Sequence, residues 1–275
     1  MSLLRFCYAG RPKSLAFTSS ISTCMGSGQT SKDVLENPIG KDPSVALSTG
    51  YAQSKYIIER ITQTASLTDG LNIPIYMLRV GQMCGSTKTG HWNTDEMFPI
   101  MFATSAHSQM KAFPVFPEKI IDWIPVDVAA ETITQILLPE SSPISNGKLK
   151  FEGYEVHNIV NPYPLPWSKL VDMLQNSSLI SKSGRDRLEE VSMTEWVRRL
   201  NVVAESGADT NEISGLRLLG FFEAMADEDS QSKVFGTEKG RGKSRSLSNL
   251  RPFSSEWLEK NLKVWKTKNF LINEV

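Results

Sequence analysis

Cysteine is scarce in this sequence, with only Cys7, Cys24 and Cys84 in 275 residues and no CxxC pair among them. An odd, widely spaced set gives neither a disulfide framework nor a zinc site, and a reducing, cytosolic setting fits it best. Histidine is equally sparse, and His91, His107 and His157 lack metal-ligand spacing, so no metal site is expected. Charge of one sign is lacking too: 30 Lys plus Arg oppose 30 Asp plus Glu. That balance removes the field expected of a general nucleic-acid binder or a membrane-surface protein. No stretch approaches the ~18 apolar residues of a membrane span, and the opening MSLLRFCYAGRPKS is too short an apolar run for a signal segment. No internal repeat is visible.

What is present is a globular composition, 40% hydrophobic and 22% charged, long enough for one large domain or two small ones. Leu15 to Ser20, LAFTSS, follows the breaker Pro12 and reads as a buried strand ending in hydroxyls. The Ser, Thr, Gly and Pro-rich stretch from Ser22 to Gly50 is an unusually long loop for a compact domain unless it serves a site. Tyr51 to Leu67 has helical periodicity, with Ile58, Ile61 and Ala65 on one face and Gly70 as its stop. Pro74 then opens a strand, Ile75 to Val80. Strand, helix and strand make a βαβ unit, so the two strands should be parallel. Further on, a helix is expected from Met97 to Gln109, and an extended segment at IDWIPV. A helix capped by Asp127 and ended by Pro139, a strand from Val156 to Val160 and a helix from Trp167 should follow. The charge runs at Ala226–Ser230 and Lys239–Arg245 read as a solvated turn and a linker. The six tryptophans read as packing residues.

The chemistry concentrates at Ser20, Tyr51 and Lys55. In GYAQSKYIIER, Tyr51 and Lys55 are four apart, hence on one helical face. A phenol with a reference pKa of about 10 is a poor acid-base group at neutral pH, and an adjacent cation stabilises the phenolate. A hydroxyl from Ser20 lies at a strand's carboxyl end, where open α/β sheets bind ligands.

Taken together, FTSSIS, GYAQSKYIIERI, PIYMLRVGQMCG, DWIPVDVAA, HNIVNP and TEWVRRL resemble the extended short-chain dehydrogenase/reductases. Within that group they are most similar to the terminal thioester-reductase domains of nonribosomal peptide synthetases, fungal adenylate-forming reductases and carboxylic acid reductases. The resemblance implies that Ser20, Tyr51 and Lys55 form the catalytic triad, with Tyr51 as proton donor and Lys55 on the nicotinamide ribose, and Ser22 as a second substrate contact. It places Arg79, Gly81 and Gln82 beside the nicotinamide, so that Tyr51, Lys55, Gly81 and Gln82 make up the cofactor-binding set. The implied cofactor is NADP(H). The implied partner is an acyl thioester on the phosphopantetheine arm of a carrier domain, reduced to an aldehyde or an alcohol; nucleic acid and membrane are not expected partners.

The family's strand, GxxGxxG turn and helix for the pyrophosphate are not in this sequence, and GSGQT at Gly26 to Thr30 follows the wrong strand and reads as loop flexibility. The expected fold is therefore α/β, a partial Rossmann-like parallel sheet with a mainly helical C-terminal substrate-binding region. Residues 1–80 would be the C-terminal half of the NADP-binding domain, and residues 81–275 the substrate-binding region interleaved with later sheet elements. An upstream polypeptide supplying the first half is an expected partner. Two other readings stay open: an inactive truncated remnant or interaction module, and a reductase or epimerase acting on a free carbonyl compound or sugar nucleotide, which HNIVNP and TEWVRRL disfavour.

Overall fold

A computed structural model describes residues 2–10, 13–68, 73–138, 153–180, 187–210, 212–227 and 232–271. Pro12, Gly70, Pro139 and most of the acidic run at 226–230 lie outside them. The main strands are β1 (Leu15–Ser20), β2 (Ile75–Val80) and β3 (Tyr154–Ile159). The helices in chain order are α1 (Ser2–Tyr8), α2 (Gly50–Ser66), α3 (Met97–Ala106), α4 (Val126–Leu137), α5 (Trp167–Gln175), α6 (Met193–Glu205), α7 (Leu219–Asp227), α8 (Glu238–Lys243), α9 (Arg245–Ser248) and α10 (Ser255–Thr267). Among the described residues, no helix is long and apolar enough to cross a membrane.

The chain divides into two compact units. The first comprises Met1–Met83, Asp122–Tyr163 and Lys233–Arg251. Its sheet has the order β1-β2-β3, parallel throughout, with Leu15 opposite Ile75 and Ser20 opposite Val80, and Ile75 in turn opposite Tyr154. Every residue of β2 is buried, as befits the central strand of a parallel sheet covered on both faces. The α/β class and the parallel βαβ unit are as expected.

Three local expectations need correction. The buried face of α2 is Ala52, Tyr56, Glu59 and Thr62, whereas Ile61 is 48% exposed and Ile58 and Ala65 are half-buried. A polar network, described below, turns the helix away from its aliphatic stripe. α4 begins at Val126 with Pro125 in the capping position, so Asp127 sits inside the first turn, where its charge suits the helix dipole. The basic stretch Lys239–Arg245 is no solvated linker: it forms most of α8, with Gly240 buried, and the start of α9.

That last correction explains the long loop. Glu36, 3% exposed, accepts hydrogen bonds from the backbone N–H groups of Asn158 at the end of β3 and of Lys239 and Gly240 in α8. The Asn158 side-chain amide donates to Val34 O and Gly236 O, and Asp33–Val34 pairs in parallel with Val234–Phe235. One carboxylate thus fastens the loop, β3 and α8 together. Nor is GSG flexible: the Gly26 and Gly28 amides donate to Val45 O and Ser44 O, and a Cβ on either glycine would overlap Ala46 O or Ser44 Oγ.

The second unit comprises Cys84–Ile121, Pro164–Ser232 and Pro252–Val275. Its strands are short: Ala112–Val115 pairs in parallel with Glu189–Ser192, and Ile120–Ile121 in antiparallel fashion with Leu165–Pro166. The rest is helical and its core is aromatic. Trp167, Trp196, Trp265, Phe102, Phe113 and Phe222 are fully buried, and the indole N–H groups of Trp167, Trp196 and Trp265 donate to Pro114 O, Ala112 O and Trp92 O. Such satisfied indoles are packing residues.

Two stability predictions follow from the first unit. Removing the Glu36 carboxylate orphans three backbone donors, and hydrogen bonds to charged groups contribute about 1.5–3 kcal/mol each. Glu36→Ala should therefore lower the unfolding free energy in urea by more than about 3 kcal/mol. The second concerns Glu155, which is bonded to His157 Nε2 and to Lys243. Burial works against its charge, but the Lys243 hydrogen bond and charge and the His157 contact outweigh it and hold the carboxyl below its usual range. A lowered folded value means stabilisation that is present above the ordinary glutamate range and is lost as pH falls through the folded value. The urea midpoint of Glu155→Gln should lie below that of the parent at neutral pH, and the gap should close on acidification.

Candidate active site

The candidate residues all lie in the first unit, around the carboxyl end of β1. Ser20 ends the strand with extended backbone and caps the short 3-10 turn Ile21–Cys24. Its Oγ accepts from Ser22 N at 3.2 Å and from Ser22 Oγ at 3.0 Å. The two serines selected from the sequence thus share one hydroxyl pair. Tyr51 stands in the first turn of α2, 60% exposed, behind an N-cap in which Thr49 accepts from Ala52 N. Lys55 follows one turn later, its Nζ 5.6 Å from the Tyr51 ring centroid and 4.9 Å from that of Phe17, donating to Thr18 O at 2.9 Å. The helical spacing does bring phenol and ammonium together, and Lys55 ties them to the strand that ends in Ser20.

Gly81 and Gln82 follow β2. The Gly81 N–H donates to Ile159 O, and a Cβ there would come within 2.6 Å of Val160 Cγ1, so packing alone requires glycine at this position. The Gln82 side chain donates to Met83 O at 2.7 Å.

Sequence reasoning missed the network underneath. Glu59, fully buried, accepts from Ser19 Oγ at 2.6 Å and Thr23 Oγ1 at 3.1 Å, and its two oxygens face Nε and Nη2 of Arg79, the latter at 2.7 Å. Arg79 lies within the strand β2 and not after it, 1% exposed, with its guanidinium turned onto Glu59. Burial disfavours its charge, yet the Glu59 carboxylate beside it leaves Arg79 more firmly protonated than a free arginine. Nearby, burial pushes the Cys24 thiol up, against the pull of Arg79, so Cys24 stays a protonated packing residue. The overlooked signal is Glu59 itself, four beyond Lys55 and eight beyond Tyr51, a spacing that puts all three on one side of α2.

This geometry now meets known proteins. The NAD-binding family described as Male sterility protein matches residues 1–133. Adenylate-forming reductase Nps9 of Serpula lacrymans var. lacrymans (strain S7.9) is 30% identical over 267 residues, covering 90% of this chain and 22% of the relative. Nps11 of the same fungus is 27% identical over 275 residues, covering 93% of this chain and 23% of that protein. The crystal structure of the terminal R domain from the myxalamid PKS-NRPS biosynthetic pathway superposes with a TM-score of 0.73 at 20% identity, over 98% of this chain and 62% of that one. These matches support an extended short-chain dehydrogenase/reductase of the thioester-reductase type, and the chain has the fold of that R domain. It spans less than a quarter of the length of the adenylate-forming reductases it resembles.

The donor set at the end of β1, an ammonium, a phenol and two hydroxyls, fits a ribose diol and a carbonyl oxygen, the nicotinamide end of a dinucleotide. Its pyrophosphate end is not matched by GSGQT, whose Gly26 and Gly28 amides are already bonded within the loop.

Breaking a buried ion pair by removing one partner costs about 3–5 kcal/mol, whereas replacing both by apolar residues is often neutral. Glu59→Leu alone should therefore destabilise the chain by roughly that amount, and Glu59→Leu with Arg79→Met should recover most of the loss in urea unfolding.

Proposed function

We propose that this chain carries the catalytic triad of an NADPH-dependent reductase that converts an acyl thioester, held on the phosphopantetheine arm of a carrier domain, to an aldehyde. The observation that carries the reading is the joining of Tyr51 and Lys55 on α2 to the Ser20 end of β1 through the Lys55 bond to Thr18 O. The fungal adenylate-forming reductases and the assembly-line R domain among its relatives support the substrate class.

NADPH, when bound, supplies the hydride that the thioester carbonyl carbon accepts. Ser20 Oγ, which already accepts from Ser22, donates its own proton toward the carbonyl oxygen and fixes its direction. Tyr51 gives its phenolic proton to that oxygen as negative charge develops there. Lys55 holds the ribose hydroxyls and, as a cation beside the phenol, stabilises the phenolate left behind. The resulting hemithioacetal loses the pantetheine thiol and becomes the aldehyde. Tyr51, Lys55, Gly81 and Gln82 are the residues assigned to the cofactor.

The test is NADPH oxidation with an acyl-pantetheine thioester, run with a co-expressed segment bearing a glycine-rich phosphate turn. General acid catalysis contributes roughly 10²–10⁴-fold, so Tyr51→Phe should lower kcat by that factor. Lys55→Met should raise KM for NADPH and shift the pH–rate profile. Turnover that survives Tyr51→Phe would remove the triad reading and favour a non-catalytic module.

A further inference from the structure

The second unit holds a polar cavity that none of the candidate active-site residues lines. It has a volume of about 150 Å³ and lies between the end of α3, the segment leading into the 3-10 turn Ser214–Leu218, and the residues that follow α10. Thr104, His107, Glu212, Ser214, Arg217 and Phe270 are among its walls. Polar groups inside a protein are ordinarily bonded to one another, yet these are largely uncommitted. Thr104 is 1% exposed and its Oγ1 has no hydrogen-bond partner. His107 is 9% exposed, and its Nδ1 accepts the Gln109 N–H, which places the ring proton on Nε2. Arg217 and Glu212, opposite charges on one segment of the wall, form no ion pair with each other among the described residues. The guanidinium reaches an acid only at Asp95, 3.7 Å away.

We propose that this cavity binds a small free α-amino acid. Its volume is below the ~300–1,000 Å³ of drug-sized and cofactor sites, so the occupant is a small metabolite. The charge of that metabolite follows from the walls. A simple anion would meet Arg217 but be opposed by Glu212, and a simple amine would meet the reverse. A zwitterion satisfies both, with its carboxylate on the planar guanidinium and its ammonium on the Glu212 carboxylate. The unbonded Thr104 hydroxyl and the His107 Nε2–H suit a short side chain that carries a hydroxyl, and Phe270 supplies an apolar contact. Gly215 shapes this wall: a Cβ there would come within 2.5 Å of Thr104 Oγ1, so glycine lets the 3-10 turn approach α3 this closely. The site is independent of the reductase reading, because every wall residue belongs to the second unit.

Titration calorimetry on the full chain tests it, with L-serine and L-alanine as probes. Two controls each lack one charge: glycerate has a hydroxyl in place of the ammonium, and ethanolamine has no carboxylate. L-serine should bind with a Kd of about 1 mM or tighter, as suits so few non-hydrogen atoms. Glycerate and ethanolamine should bind at least about tenfold more weakly, and L-alanine about fivefold more weakly. Glu212→Gln should weaken L-serine about tenfold and leave glycerate unchanged or tighter, whereas Arg217→Gln should weaken both. Both side chains are exposed, so both variants should fold, which an unchanged urea midpoint checks. Thr104→Val keeps the shape, removes an unbonded hydroxyl and should erase the preference for L-serine over L-alanine. Absence of saturable binding of either amino acid up to about 20 mM would overturn the site. Glycerate or ethanolamine matching L-serine would overturn the zwitterion, and L-serine binding that survives both charge substitutions would overturn the location. A serine preference that persists in Thr104→Val would overturn the part given to Thr104. No readout involves NADPH or a thioester, so failure here is separate from failure of the reductase reading.

Discussion

The first unit is organised around one carboxylate. Glu59 receives donors from β1, from the turn after it and from β2, across sequence separations of 40, 36 and 20 residues. Because it sits on the same helix as Tyr51 and Lys55, and because Ser19 adjoins Ser20, the network sets both the height and the rotation of α2 against the end of β1. A buried ion pair of this kind contributes little net stability, since desolvation offsets the attraction. Its contribution is uniqueness: only one placement of helix on sheet satisfies every polar group, and any other leaves a guanidinium or a carboxylate buried alone.

Glu36 repeats the device with backbone donors. Glu59 joins side chains that surround the candidate triad, and Glu36 joins the loop from Ser22 to Gly50 to the end of β3 and to α8. Both carboxylates act within a sheet whose strands come from distant parts of the chain. Parallel strands cannot be joined by tight hairpins, so cross-chain polar ties substitute for short connections. The second unit instead has an aromatic core, in which indoles and phenyl rings bury large apolar areas directly and the indole N–H groups make the polar ties.

Much of this was legible in the sequence where a segment has one strong period. LAFTSS and IYMLRV gave strands at the observed positions, and the four-residue spacing of Tyr51 and Lys55 gave their shared face. Reading failed where a polar side chain overrides hydrophobic patterning. The aliphatic stripe of α2 pointed the wrong way because Glu59 and Thr62 face the core, and a buried charge can be foreseen only if its partner, Arg79 in another strand, is already known to be adjacent. The α8 segment, with Gly240 and Gly242 among its six residues, has a poor intrinsic helical preference. It is helical because Glu36 accepts its first amides, a tertiary cause invisible to local pattern. The glycines of GSG looked like flexibility because open space and close approach leave the same mark in a sequence; only the backbone of the neighbouring turn tells them apart.

The contact of Glu36 with α8 also has a temporal side. Its amide partner at Lys239 lies 203 residues later in the chain. At ribosomal speeds of about 5–20 residues per second, the carboxylate must wait roughly 10–40 s after its own synthesis before those donors exist. During that interval the long loop, joined late by the end of β3 122 residues on, has no α8 to close over it. A nascent chain of this type is therefore vulnerable to chaperone capture and proteolysis at the loop until late in translation, and slow codons between β3 and α8 would lengthen that exposure.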